Sequence, residues 1–299
     1  MPEIRAHFRG ATAASALKCH VRSPDCVLAS AKAAAVTFRV RLVASAAACL
    51  LLPLSASAGE LSDARVAALV AAYPEQLERI DGADLVWRDG TRMRLDDGKG
   101  QKTLDAWLEE PDIEDMLRFP YPAATEAVAP GRDIDPGRAR NAAFFEKMYG
   151  DCRKGEVATS LAEIVWLAGK APRKLRVTRI NRVDERLAAV SAELDRLPDR
   201  FDVYLTPSAG TYNCRVIAGT DRVSAHGYAI AIDIAVARSH YWRNVKPEAD
   251  GGYLWRNAIP REIVDIFERH GFIWGGRWYH YDTMHFEYRP ELMPRPGAP

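Results

Sequence analysis

The stretch SAHGYAIAID, residues 224–233, constrains the fold more than any other part of the chain. Read as a strand of period two, it sends Ile230, Ile232 and Ile234 to one face and Ala229, Ala231, Asp233 and Ala235 to the other. The isoleucine face must pack into a core. The alanine face leaves room around one carboxylate, and room beside a carboxylate is what a metal ion and its substrate need. His226 lies just before the strand, where a turn at Gly227 folds its ring back towards Asp233. From this stretch alone, a satisfied structural pair and half of a metal site both stay open.

The surrounding sequence reads as α+β. Val66, Leu69, Val70, Tyr73 and Leu77 recur at helical spacing and predict a helix from residue 60 to about 80. ADLVWRDGTRMRLDDG predicts a hairpin with Asp89-Gly90 as a two-residue turn, which sets Val86 opposite Met93. Lys102 to Leu117 reads as short helix and loop. YPAATEAVAPGRDIDPGR is rich in Pro and Gly and marks a candidate boundary near residues 121–138. Beyond it, ARNAAFFEKMYGDC and VDERLAAVSAELDRL predict helices, KLRVTRI a strand, and FDVYLTPSAGTYNCRVIAGT two strands around a loop. IPREIVDIFERHG predicts a helix with Pro260 in its first turn, an Ile263–Ile266–Phe267 face and Gly271 as terminator. The chain divides into an extension with a signal (1–58), an accessory helix-and-hairpin region (59–130) and a main domain (131–299). The accessory region is left to cover the main domain, shape one wall of its cleft or bind a partner.

Charge is uneven. Residues 1–58 hold seven Lys/Arg against two Asp/Glu, a net of +5, while the whole chain is +1, so the remainder is near −4. No basic footprint for nucleic acid is present in that remainder. Arg39 and Arg41 precede LVASAAACLLLPL and then ASA, the pattern of a secretory signal cleaved after Ala58, with an N-terminal membrane anchor as the alternative. Residues 1–35 precede that pattern, so a start near Val36 is expected, and the apolar LLLPL follows Cys49 instead of preceding it, unlike a lipoprotein cysteine. The expected product is periplasmic or secreted, with no stable membrane span after cleavage. It keeps two cysteines, Cys152 and Cys214, for which export predicts a disulfide; two separate buried thiols are the alternative.

The five histidines after residue 58 (His226, His240, His270, His280 and His285) fall within sixty residues of one another. In WGGRWYHYDTMHFEY, the strand-like MHFEY puts His285 and Glu287 on one face, with Asp282 three residues before His285. Two histidines and one carboxylate leave a tetrahedral position open for water, as catalytic metal sites do. Asp282 is then free to act as base, or caps a turn.

SAHGYAIAID, followed after 48 residues by DTMHF, resembles the LAS-type zinc peptidases. These include VanY-like D-Ala-D-Ala carboxypeptidases and the related L-Ala-D-Glu endopeptidases of bacterial cell walls. The resemblance covers residues 200–290. It implies a small antiparallel sheet with flanking helices, hedgehog/DD-peptidase-like. It also implies one Zn2+ per chain held by His226, Asp233 and His285, Asp282 as catalytic base, and Arg215 in GTYNCRVIAGT as a substrate-binding arginine. Ala229 stands where the family's pattern has glycine. A methyl on the site-facing side of the strand would alter substrate fit or backbone approach.

On this reading Arg215 clamps a carboxylate or the developing oxyanion, or else forms a surface salt bridge. His280 contacts the transition state, orients Asp282, or is structural. Trp278 and Tyr279 line a peptide groove or pack. Ser224 holds a ligand through a hydrogen bond or caps the turn. His240 and His270 read as structural, the latter at a helix C-terminus where positive charge is favourable. The expected activity is hydrolysis of peptidoglycan stem peptides by a monomer. The competing reading is a non-catalytic zinc domain that binds wall peptides or a partner protein. The carboxypeptidase and endopeptidase bonds are not separated by sequence.

Overall fold

The computed structural model describes residues 63–294 apart from residue 209. The expectations for the signal, the cleavage site and the start lie outside the described residues. Three small antiparallel sheets and several helices make up the described part, so the α+β class holds.

Helix α1 (Asp63–Ala72) is shorter than its periodicity suggests, because Pro74 ends it and Leu77 begins strand β1 (Leu77–Asp81). Strands β1, β2 (Asp84–Trp87) and β3 (Arg92–Arg94) form a meander. Its second turn corrects the expected register: Val86 pairs with Arg92 and Leu85 with Met93. Trp87 donates to Thr91 across a three-residue loop, with Gly90 at φ +83° taking the left-handed position such loops need. Two short helices follow, α2 (Leu104–Glu109) and α3 (Ile113–Met116). Asp112 and Asp115 cap α3 reciprocally, each side chain accepting the other's backbone N–H.

Helix α4 (Ala142–Tyr149) leads to the hairpin β4 (Leu161–Trp166) and β5 (Arg173–Thr178), then to α5 (Val183–Leu194), whose Leu187, Val190 and Leu194 are buried. The two strands expected in residues 201–220 do not form. Residues 202–205 are a helical turn, α6 (Asp202–Leu205), and beyond Pro207 the chain meets its neighbours through single bridges, Gly210 to Asp233 and Val216 to Val223. Pro207 removes a ladder donor and so ends regular pairing there.

The third sheet carries the order β6 (Ala231–Asp233), β8 (His285–Tyr288), β7 (Phe272–Trp274), with α7 (Arg261–Arg269) packed behind it. Pro260 caps α7 from outside instead of sitting in its first turn. Ile263, Ile266 and Phe267 are buried, and the Phe267 ring stacks on Phe286 of β8 at 3.9 Å between centroids. Burying such a side chain contributes about 2 kcal/mol, so this contact fixes the sheet against the helix. One cluster of buried side chains runs from Val66 in α1 to Tyr288 in β8. Cys152 and Cys214 are bonded, with Cα atoms 5.6 Å apart. Closing a 62-residue separation removes about 4 kcal/mol of denatured-chain entropy.

Candidate metal centre and its cleft

SAHGYAIAID folds in two parts. Ser224 caps a 3-10 turn (Ala225–Tyr228) by accepting the backbone N–H of His226, and only Ala231–Asp233 is strand. Gly227 is required by close approach: a Cβ there would meet Val223 at 2.5 Å and the Cys152 sulfur at 3.2 Å. The isoleucine face is as expected, with Ile230, Ile232 and Ile234 each at most 1% exposed. Ala229 is not on the strand's site face. It closes the turn at φ +58°, its carbonyl accepts the Thr178 N–H, and its methyl lies in the core. The missing glycine therefore acts on the backbone, where a left-handed alanine is strained, and not on the wall of the cleft.

Sheet register brings the polar groups together. Asp233 of β6 pairs directly with His285 of β8, which places their side chains on one face. Asp233 Oδ1 lies 3.0 Å from His285 Nδ1 and 3.2 Å from His226 Nε2. Ligand atoms of all three residues lie within 4.8 Å of one another. The far nitrogens are held from behind: His226 Nδ1 donates to the Thr211 carbonyl at 2.6 Å, and His285 Nε2 lies 3.1 Å from Glu287 Oε2. Since a carbonyl only accepts, His226 carries a proton on Nδ1, and Nε2 is the nitrogen that faces Asp233. That buried Nε2 makes no hydrogen bond. A tetrahedral ion with bonds of about 2.0–2.1 Å has ligand–ligand edges of about 3.3 Å, close to the two distances observed. The three residues fit a metal ion.

The electrostatics agree. Burial opposes ionisation of Asp233, but the two imidazoles against it hold its carboxyl well below the usual range. Burial likewise works against a charged His285, yet the hydrogen bonds to Asp233 and Glu287 push it up to about 10 without a metal. Glu287 is fully buried and held low by Arg140 at 2.9 Å, by His285 and by Arg289 at 3.1 Å. Arg289 in turn bonds Glu291, which accepts the hydroxyl of Tyr73, the residue just after α1, at 2.6 Å. Asp282 differs from these groups. Its carboxyl is pushed up to about 6 by burial, and its Oδ1 is buried without a hydrogen bond.

Two cavities meet at Arg215, His226 and Asp233. The larger, about 550 Å³, reaches Asp282 and His285 and is walled in part by Leu104, Leu108 and Glu109, so α2 shapes the cleft. The smaller, about 340 Å³, lies against β5 and Tyr212. Arg215 is exposed and borders both. Trp278 is buried beside His285, ring centroids 5.7 Å apart, with its Nε1 donating to the Pro136 carbonyl. Tyr279 turns away, its hydroxyl accepting the Tyr253 N–H. His280 is gripped by Asp135, which accepts both its backbone N–H at 2.9 Å and its Nδ1 at 2.7 Å. His240 exchanges hydrogen bonds with Thr283, and His270 meets Glu193 of α5 at 2.7 Å.

Sequence reasoning missed Asp135, Arg138, Arg140 and Arg222. The first three come from the Pro/Gly-rich segment and its end, and a DPGRAR string with acid and two arginines was the signal available.

Residues 218–288 match a family model described as D-alanyl-D-alanine carboxypeptidase. The match supports a zinc-peptidase family and a peptidoglycan-related peptidase function, and it contains both histidine motifs. No curated protein and no solved structure matches the chain significantly. No helix among the described residues is long and apolar enough to cross a membrane.

Proposed function

We propose that the chain is a zinc-dependent peptidase of peptidoglycan stem peptides, of the D-Ala-D-Ala carboxypeptidase type, acting outside the cytoplasm. The observation that carries this reading is the His226–Asp233–His285 group with a buried, unbonded carboxyl of Asp282 beside it. A zinc ion held by His226, Asp233 and His285 would polarise the scissile carbonyl and acidify a water to a pKa of about 7. Asp282 takes the proton of the attacking water and hands it to the departing amine, a contribution of about 10²–10⁴ in rate. Glu287 and the Thr211 carbonyl orient the two imidazoles and raise their basicity. Arg215, at the junction of the cavities, offers its planar fork to a substrate carboxylate or oxyanion. The Asp135–His280 pair holds the cleft wall next to Asp282.

The test is digestion of purified peptidoglycan peptides by zinc-loaded protein, with products weighed by mass spectrometry. Loss of a single terminal alanine is expected, with the rate cut roughly 10²–10⁴-fold in Asp282→Asn. Because the base must be ionised, the rate should fall with decreasing pH, with a midpoint no higher than about 6. Zinc binding without turnover of any wall peptide would transfer the site to the binding-module reading.

A further inference from the structure

Five arginines line the larger cavity, and besides Arg215 and Arg243 these are Arg138, Arg140 and Arg222. The acid partners of these last three are unevenly placed. Arg140 bonds Glu287 behind the wall, and Arg222 meets Glu109 at the rim at 3.1 Å. Among the described residues Arg138 has no carboxylate within ion-pairing distance. Its guanidinium lies 5.3 Å from the centre of the Trp278 ring and 5.9 Å from that of Trp242, and one N–H donates to the His280 carbonyl. Two indoles and a carbonyl thus hold a fork that still has donors to give. Burial lowers the Arg222 pKa, and the charges of Arg140 and Arg138 add to that while Glu109 opposes it. A like-charge cluster of this kind is relieved by an anion.

The two cavities differ in where Asp282 stands. It lines the larger and is absent from the smaller. If Asp282 protonates the departing amine, the leaving part of the substrate lies in the larger cavity, beside these arginines. We infer that Arg138, supported by Arg222, binds the free carboxylate of the substrate's leaving residue, so that the cleft selects a chain terminus over an internal bond. The peptide's amino side then runs into the smaller cavity between β5 and Tyr212. This rests on the peptidase reading above and adds a specificity residue that lies outside the family-matched segment.

The experiment uses an N-acetylated peptide ending in D-Ala-D-Ala, made as the free acid and as the C-terminal amide. Binding of each is measured by calorimetry on the zinc-loaded Asp282→Asn protein, and turnover of each on the unsubstituted protein. The acid should bind roughly tenfold or more tightly than the amide, as a bidentate charge-assisted pair allows. Adding Arg138→Gln should bring the two within about threefold, and Arg138→Lys, which keeps the charge on the indoles, should fall between. Arg222→Gln should weaken the preference less. Equal binding of acid and amide, or a preference untouched in a folded Arg138→Gln protein, overturns the inference. An Arg138-dependent preference without hydrolysis would uphold the carboxylate site and sink the peptidase reading. Equal hydrolysis of acid and amide would do the reverse.

Discussion

Among the described residues, two groups of histidine and acidic side chains have ligand atoms spaced closely enough for a metal, and they are built differently. Asp233 stands with His226 and His285. Asp97 and Asp112, grouped with Asp96, also face Lys102, whose Nζ lies 2.9 Å from Asp97, 3.3 Å from Asp112 and 2.5 Å from Asp115. Lys102 is almost fully buried. Burial works against its charge, but the hydrogen bonds of Asp115 and Asp97 outweigh that and raise its pKa. There the cation belongs to the chain and cannot leave. At Asp233 the countercharge without a metal is a proton on His285, which can be exchanged. Spacing alone does not separate a binding site from a closed ionic knot; what separates them is whether the positive charge is covalently supplied.

The contrast can be broken at either end. The largest effect is expected at the histidine group: His285→Ala should abolish the one zinc per chain expected of the unsubstituted protein, measured by metal analysis of the purified protein. With zinc at about 100 times its Kd, binding should add about 2.7 kcal/mol of stability, removed by a chelator. The sign with pH follows from His285. Its raised pKa means that the metal-free fold holds this stabilisation fully below the unfolded value of about 6.5 and loses it as pH climbs towards about 10. Zinc must displace that proton. The gap in melting temperature between zinc-loaded and metal-free protein should therefore widen between pH 7 and 9, and a constant gap would contradict the proton–metal exchange.

At the other cluster, Lys102→Met should cost roughly 3 kcal/mol, because three carboxylates lose their buried partner. Denaturant midpoints would measure this, while zinc content should stay the same. A loss of zinc in Lys102→Met would erase the distinction drawn between the clusters. The smallest effect is expected at Ala229. Ala229→Gly relieves a left-handed alanine but frees the unfolded chain, leaving a gain of roughly 0.5–1 kcal/mol.

Asp233 and His285 were legible because they lie on one short strand and its cross-strand partner, where alternation states which side chains share a face, and His226 because it sits in the turn just before that strand. The helix face of Ile263, Ile266 and Phe267 was legible for the same reason at period 3.6. Turns were less so. Asp89-Gly90 is compatible with two loop lengths, and the three-residue loop shifts the register by one. Alternation through Ala229 could not reveal that its backbone leaves the strand for a left-handed turn. Asp135 and Arg138 were hidden because they reach His280 across 145 and 142 residues of chain from a segment without periodicity. Only the path of the fold brings such groups together.

Glu287 gives this a practical edge. Its carboxylate orients His285, yet its own countercharges, Arg140 and Arg289, fall on either side of residues 218–288, and Arg289 leads on through Glu291 to Tyr73. A fragment cut at the limits of family similarity would keep every proposed ligand and strand a fully buried anion behind one of them. The span over which a relationship can be recognised is thus shorter than the span over which the charges balance.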